Sequence, residues 1–413
     1  MLSSGAWLTP ERVRMVALVS GIAGLAMLLF LYFGGQGTLD PFGQPIGTDF
    51  SAFWHAGRLA NDGSAPSAWD VTALNAEVRV THPGSEFATA WVYPPVFLLI
   101  ASPLAMLPYL HALAIWQAVS VLLLAAALKA ILTDWKSVAV CLASPLTPLV
   151  LAHGQNAFLT AALLGAGLAS LAVGRGTGAG YFGGLAYKPQ LALQLAPFLL
   201  FTKNWRALGV AFTVAALVIA LSWLLWGTEA WLAFAASASA TRHFMEEGAV
   251  GLHKSASLFS LARMWGAPVG PAYLIQALSA LSGLALLWKA RHAPPFVLGA
   301  AACVAIALST PYLLDYDIAL VGLGAVFLFA EGRRTSFLEY ERTALAYIWA
   351  TPWFARQVAE VVHLPLLPIS MVLLAVLVFR RAVLARSGLP SRCAGNASSG
   401  LALATATRGK GEP

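Results

Sequence analysis

The sequence is short of charge. Asp, Glu, Lys and Arg make up 10% of its 413 residues, where a soluble domain carries roughly 25%. So few charges cannot cover a water-facing surface, which excludes a string of small soluble domains. Cysteine is scarce too: Cys141, Cys303 and Cys393 are far apart, the first two inside apolar runs, so neither a disulfide framework nor a cysteine metal cluster is on offer. HExxH, GxSxG and CxxC are all missing. Gly174, Gly176, Gly178 and Gly180 imitate a nucleotide loop, but no strand pattern precedes them. Gly251-Leu252-His253-Lys254-Ser255 lacks the spacing of a phosphate-binding loop.

What is present is apolar sequence, 59% of the chain. A helix needs about 20 mostly apolar residues to cross the hydrocarbon core. Runs that suit this fall near 13–33, 93–109, 110–132, 137–153, 155–173, 180–202, 206–226, 270–289, 293–313, 317–331, 342–361 and 364–383. The expectation is an all-α, polytopic membrane protein of about twelve transmembrane helices, with residues 1–386 as one transmembrane domain. The first run ends in Gly34-Gly35-Gln36 without a small-residue cleavage pattern, so it reads as a retained span.

The formal charge of +7 does not form a nucleic-acid-binding face, because the basic residues stand in small clusters between spans and in the tail. They follow the positive-inside bias. With Arg12 and Arg14 cytoplasmic, alternation puts Lys203, Arg206, Lys289, Arg291, Arg333, Arg334 and the tail from Arg380 on that side, while Lys129, Lys136 and Arg175 fall outside. Pro103, Pro108, Pro145 and Pro148 break the stretch 103–175, where a broken or re-entrant helix pair fits. Residues 387–413, small, polar and basic, read as a disordered cytoplasmic tail.

Two hydrophilic interruptions, 34–92 and 227–269, face the outer side in this count. In the first, Phe50, Phe53, Trp54 and Gly57 share one helical face while Ser51, His55, Arg58 and Asp62 share the other, the pattern of an amphipathic helix lying along the interface. Trp69, Leu74 and Val78 repeat it weakly. Trp231 and Phe234 suggest a further short amphipathic helix.

Asp49, in Gly47-Thr48-Asp49-Phe50, has two readings. It suits a general base, whose partial desolvation raises its pKa toward a working value, and it suits the N-cap of the helix that follows. Tyr93-Pro94-Pro95 serves as an aromatic anchor with prolines in a first helical turn. Lys188, in Tyr187-Lys188-Pro189-Gln190, is a charge inside an apolar run; it either meets a lipid phosphate at the break that Pro189 makes or snorkels outward. Asp315 and Asp317 form a DxD-like pair, a weak metal motif that a solvated loop explains as well. His253, Lys254, Ser257 and Arg263 crowd one loop and suit either an anionic head group or a solvated basic rim. The buried amides of Gln155 and Asn156, after His153-Gly154, need partners and can glue helices together.

Five of these segments, in this order and spacing, resemble glycosyltransferase family 87: Gly47-Thr48-Asp49-Phe50, Tyr93-Pro94-Pro95, Gly154-Gln155-Asn156, Tyr187-Lys188-Pro189-Gln190, and Pro311-Tyr312 through Tyr316-Asp317. The resemblance runs from about Val13 to Arg381. It implies the polytopic GT-C architecture and the transfer, with inversion, of a single hexose, expected to be mannose because the family includes mannosyltransferases, from a polyprenyl phosphate to a hydroxyl of an extracytoplasmic lipid-linked or glycan acceptor. Asp49 matches the catalytic aspartate. Lys188 would steady the leaving phosphate with Arg58, His253 or Lys254 as helpers, and Trp54, His55, Tyr93, Gln190, Tyr312 and Asp317 would line the substrate pocket. No cofactor is implied, and dependence on a divalent metal is left open. Membrane lipids are the surroundings, nucleic acid is not a partner, and the plasma (inner) membrane is the expected location. A transporter or flippase of a lipid-linked sugar competes but should show an internal repeat, which is missing here; a polyprenyl-linked glycan ligase should carry its largest outer loop late, whereas here it is first.

Overall fold

The structure, a computed structural model, describes residues 1–248 and 251–387. Apart from Ser387, the expected disordered tail, with Cys393, lies outside the described residues. These fold into helices and 3-10 turns with no strand among them: α1 (Pro10–Phe33), α2 (Thr48–Asn61), α3 (Val71–Thr81), α4 (Leu98–Leu104), α5 (Tyr109–Leu132), α6 (Trp135–Leu142), α7 (Leu146–His153), α8 (Ala157–Ala172), α9 (Gly180–Gly183), α10 (Ala192–Phe201), α11 (Trp205–Glu246), α12 (Leu258–Met264), α13 (Val269–Ala290), α14 (Pro295–Ser309), α15 (Ala319–Thr335), α16 (Glu341–Ala350), α17 (Ala355–Val362) and α18 (Leu366–Ser387).

Among the described residues five helices are long and apolar enough to cross a membrane, α1, α5, α11, α13 and α18, and a sixth span arises if α6 and α7, bent by 61°, count as one. This is a multi-pass membrane protein. About twelve full spans are not confirmed: other apolar runs form shorter helices, such as α8, α10 and α14. Pro94, Pro95 and Pro103 leave the run at 93–109 only a 3-10 turn and the seven-residue α4, since each proline lacks an N–H donor. The run at 180–202 breaks into α9, two 3-10 turns around Lys188, and α10.

The core gathers on α14, which is buried along nearly its whole length. Its alanines let neighbouring backbones come close, the packing device of helices that have no hydrophobic drive between them in lipid. A Cβ added at Gly283 of α13 would sit 3.1 Å from the Ala305 carbonyl oxygen. Phe212, Leu217, Leu224 and Leu232 of α11 are exposed, an outward apolar face that suits lipid rather than water.

One end of the bundle is basic. Asp134, which caps α6 by accepting from the Ser137 N–H, accepts also from Arg333 Nη1 at 2.5 Å. The Tyr340 N–H donates to the Ser3 carbonyl, and Arg386 donates to that of Trp288. Gly176 lies against the Arg206 side chain, and Phe201 meets the Trp288 ring. The alternation inferred from charge is thereby corrected: the turn between Lys129 and Lys136, and Arg175, share the end of Arg206 and Arg333. Residues 176 and 206 are neighbours, so the segment between them goes in and returns with Lys188 near its tip instead of crossing.

Two loop expectations also change. Helix α2 forms, but Ser51 and His55 are buried along with Phe50, Phe53 and Trp54, because His82 after α3 and Tyr109 of α5 pack against the His55 side while α4 lies against Gly57 on the other. The run through Trp231 and Phe234 is the continuation of α11 beyond a break at Gly227, whose φ of 71° is open to glycine.

Candidate functional site

The site begins where two glycines allow two turns to touch. Gly47 and Gly154 both have left-handed backbones, and a Cβ on Gly154 would lie 2.6 Å from that of Phe50. A side chain on Gly154 would push the start of α2 away from the turn after α7, and one on Gly47 would meet Leu113 of α5. Their contact brings Asp49 to Gln155, whose Nε2 donates to the Asp49 Oδ2 at 3.0 Å. The N-cap of α2 is Gly47, so the Asp49 carboxylate is turned to Gln155 rather than spent on the helix end.

Gln155 is itself held. Its Oε1 accepts from the Asn156 N–H at 2.7 Å and from the Tyr93 hydroxyl at 3.4 Å, which leaves its amide nitrogen for Asp49. Burial raises the Asp49 pKa to about 6; Gln155, Lys254 and Arg356 oppose the rise and Asp317 adds to it. Desolvation of the carboxylate thus outweighs its cationic neighbours. Behind Tyr93 stands an aromatic wall, with Phe53 edge-on at 5.5 Å and Phe97 at 4.8 Å. Tyr187 stacks on Phe97 and shares a 2.8 Å hydrogen bond with Thr160. Asn156 is fully buried, and both polar atoms of its side chain are without a hydrogen-bond partner.

Three cations and two further carboxylates complete the site. Lys188 has a non-helical backbone before Pro189 (φ −125°, ψ 71°), since proline disfavours the helical region for the residue before it, and its Nζ lies 2.8 Å from Asp317 Oδ1, both side chains being largely buried. Arg356 donates from Nε and Nη2 to Asp315 Oδ2 at 2.9 and 2.6 Å. Each aspartate of the DxD-like pair therefore neutralises its own cation. His153 bonds Thr48 Oγ1 through Nδ1 at 2.7 Å and faces Arg356 through Nε2. Among the described residues no three His, Cys, Asp or Glu side chains converge as a metal cage.

Of the residues singled out from sequence, Asp49, Tyr93, Lys188, Lys254 and Asp317 meet here, and His253 adjoins Lys254 in the same 3-10 turn. Others lie elsewhere. Arg58 is at the far end of α2, over the Trp54 ring and near Asp62. Trp54 donates to the Leu107 carbonyl. His55 packs with His82 and Tyr109, and burial lowers the pKa of His55 to about 3 and of His82 to about 4. Gln190 is exposed. Tyr312 bonds Tyr273, which donates to Glu246 at 2.7 Å. Arg356 escaped notice, although it carries the same signal as Lys188, a charge inside a run read as a span.

Beside this cluster is a cavity of about 470 Å³. Met27, Leu31, Leu149 and Leu367 line its apolar side, and Arg356, His153, Thr48, Gln44, Asp40 and Asp315 its polar side, the Asp40 carboxylate accepting from the Phe42 and Gln44 N–H groups. The pieces together are a desolvated carboxylate, cations within its electrostatic reach, and an amphipathic hollow, set among membrane helices. No curated protein and no solved structure matches the chain. The model of glycosyltransferase family 87 does match, over residues 91–314, more than half of the 413 residues, and the chain belongs to that family of membrane glycosyltransferases.

Proposed function

We propose that this protein transfers one hexose, mannose, from a polyprenyl phosphate to a hydroxyl of a lipid-linked or glycan acceptor at the extracytoplasmic face of the plasma membrane. The observation that carries the reading is Asp49, a carboxylate raised to about 6 and aimed by Gln155 in a glycosyltransferase chain. In the step, Asp49 takes the proton of the acceptor hydroxyl as its oxygen bonds to the anomeric carbon. The bond from that carbon to the phosphate oxygen breaks on the opposite face, and polyprenyl phosphate departs with the electron pair. One displacement gives inversion. A base works best with its pKa near the working pH, and the burial of Asp49 supplies this.

The sidedness follows from charge. Asp49 lies just beyond α1, whose 24 residues span about 36 Å from Arg12 at the basic end. Basic loops stay cytoplasmic, which sets the Asp49 end outside.

The test is transfer of labelled mannose from a polyprenyl-phosphate mannose to membrane acceptors, with native protein, Asp49→Asn and Asp49→Ala in matched amounts. Loss of general-base help lowers the rate about 10²–10⁴-fold, and this is expected of both variants. Undiminished transfer by either would remove Asp49 from the chemistry.

A further inference from the structure

The transfer proposed above needs a cation to meet the phosphate that departs, and the cations of the site are not equally free. Lys188 has its ammonium on Asp317 at 2.8 Å, with the lysine side chain only 8% exposed. Turning it to a phosphate would leave Asp317 buried and unpaired, a costly arrangement. Arg356 differs. Asp315 occupies one edge of its guanidinium, Nε and Nη2, while Nη1 makes no protein hydrogen bond among the described residues. Its side chain is 28% exposed and lines the cavity. Lys254 makes no side-chain hydrogen bond or ion pair among the described residues, and its turn packs against α17, the helix that carries Arg356. Both cations act on Asp49 and on His153, so both stand near the base.

The cavity's other wall gives the ligand its second property. Met27 and Leu31 lie on α1 and Leu367 begins α18, both helices long and apolar enough to cross the membrane. Leu25, Leu29 and Phe30 of the same α1, which do not line the cavity, are exposed, so the apolar wall adjoins a lipid-facing surface. A ligand suited to this hollow has an anionic head at Arg356 and an apolar chain along α1.

We infer that Arg356, with Lys254 beside it, binds the phosphate of the polyprenyl donor, that the hollow against α1 and α18 receives the first prenyl units, and that Lys188 instead positions Asp317. Asp315 is a positioning residue, holding the guanidinium so that Nη1 faces the cavity. The inference rests on the donor class proposed above. An arginine with one edge fixed suits phosphate, because its remaining N–H groups are already oriented.

The experiment measures binding of undecaprenyl phosphate, with the uncharged alcohol undecaprenol as control, to the purified full chain in lipid nanodiscs. Arg356→Gln is expected to weaken phosphate binding at least tenfold and leave the alcohol unchanged, while Lys188→Gln keeps phosphate binding within about threefold of native. Because Arg356→Gln strands Asp315, the double variant Asp315→Asn with Arg356→Gln is measured alongside and is expected to fold and to remain weak. Native-like phosphate affinity in that double variant overturns the assignment, as does a larger loss in Lys188→Gln than in Arg356→Gln. If the native protein shows no preference for the phosphate over the alcohol, the donor class itself falls, an outcome distinct from native preference that survives loss of Arg356.

Discussion

Asp49 carries two opposite consequences of one cause. Burial raises its pKa to about 6, so below that pH it is protonated and cannot accept a proton. Sugar transfer at saturating donor should fall about tenfold per pH unit below 6 and level off above it, and the residual transfer of Asp49→Asn should lack this limb. The stability effect has the reverse sense. A carboxylate whose folded pKa exceeds its unfolded value near 4 binds its proton more tightly when folded, so its contribution is full below pH 4 and is lost as pH rises through 6. At pH 7 the charged group costs on the order of 2 kcal/mol, and Asn should relieve that. Thermal unfolding of native and Asn protein, compared at pH 4 and pH 7, should show the variant gaining at pH 7 only. The difference cancels His55 and His82, which are common to both proteins and whose lowered pKa values shift stability the other way. Sequence reasoning reached Lys188 as a charge inside an apolar run, Asp49 as an acid at the start of an amphipathic helix and Asp317 as half of a DxD-like pair, but not which cation pairs with which carboxylate. Lys188 and Asp317 are 129 positions apart, and no spacing rule reaches across such a separation.

At the scale of elements, glycine placement decides whether the site closes. Gly154 needs its left-handed backbone and the empty space where its Cβ would meet Phe50. Gly154→Ala should cost about 1–3 kcal/mol through backbone strain and the clash, and should lower transfer further because Gln155 moves with the turn. Gly209, in the second turn of α11, has nothing within 4 Å of a built Cβ; Gly209→Ala should instead stabilise by up to about 1 kcal/mol. Unfolding midpoints and transfer rates of both variants in detergent check this pair, and equal effects would undo the packing argument. Prolines acted at the same scale. Pro103, Pro108, Pro145 and Pro148 marked 103–175 as broken, and the 61° bend between α6 and α7 lies there. The break around Lys188 was visible in Pro189, but the return of the whole 176–204 segment was not, because an apolar run has the same composition whether it crosses or turns back.

For the whole molecule, the contacts at the basic end make a topological prediction. Single cysteines at Gly63, Thr133 and Thr177, in a chain with Cys141, Cys303 and Cys393 replaced by serine, should react differently with a membrane-impermeant thiol reagent on intact cells. The cysteine at 63 should label; those at 133 and 177 should label only after permeabilisation. Labelling of all three in intact cells would restore the twelve-span alternation and separate Asp134 from Arg333.

The sequence by itself determined the solvent, the helical class and the family. Scarce charge and long apolar runs admit only structures that satisfy their own backbone in lipid, and short ordered motifs persist along the chain. The pairing of Lys188 with Asp317 and Arg356 with Asp315, the burial of Ser51 and His55 on α2, and the return of 176–204 were decided only by tertiary structure. Each depends on what packs against an apolar or charged residue from a distant part of the chain, and local hydropathy is blind to that.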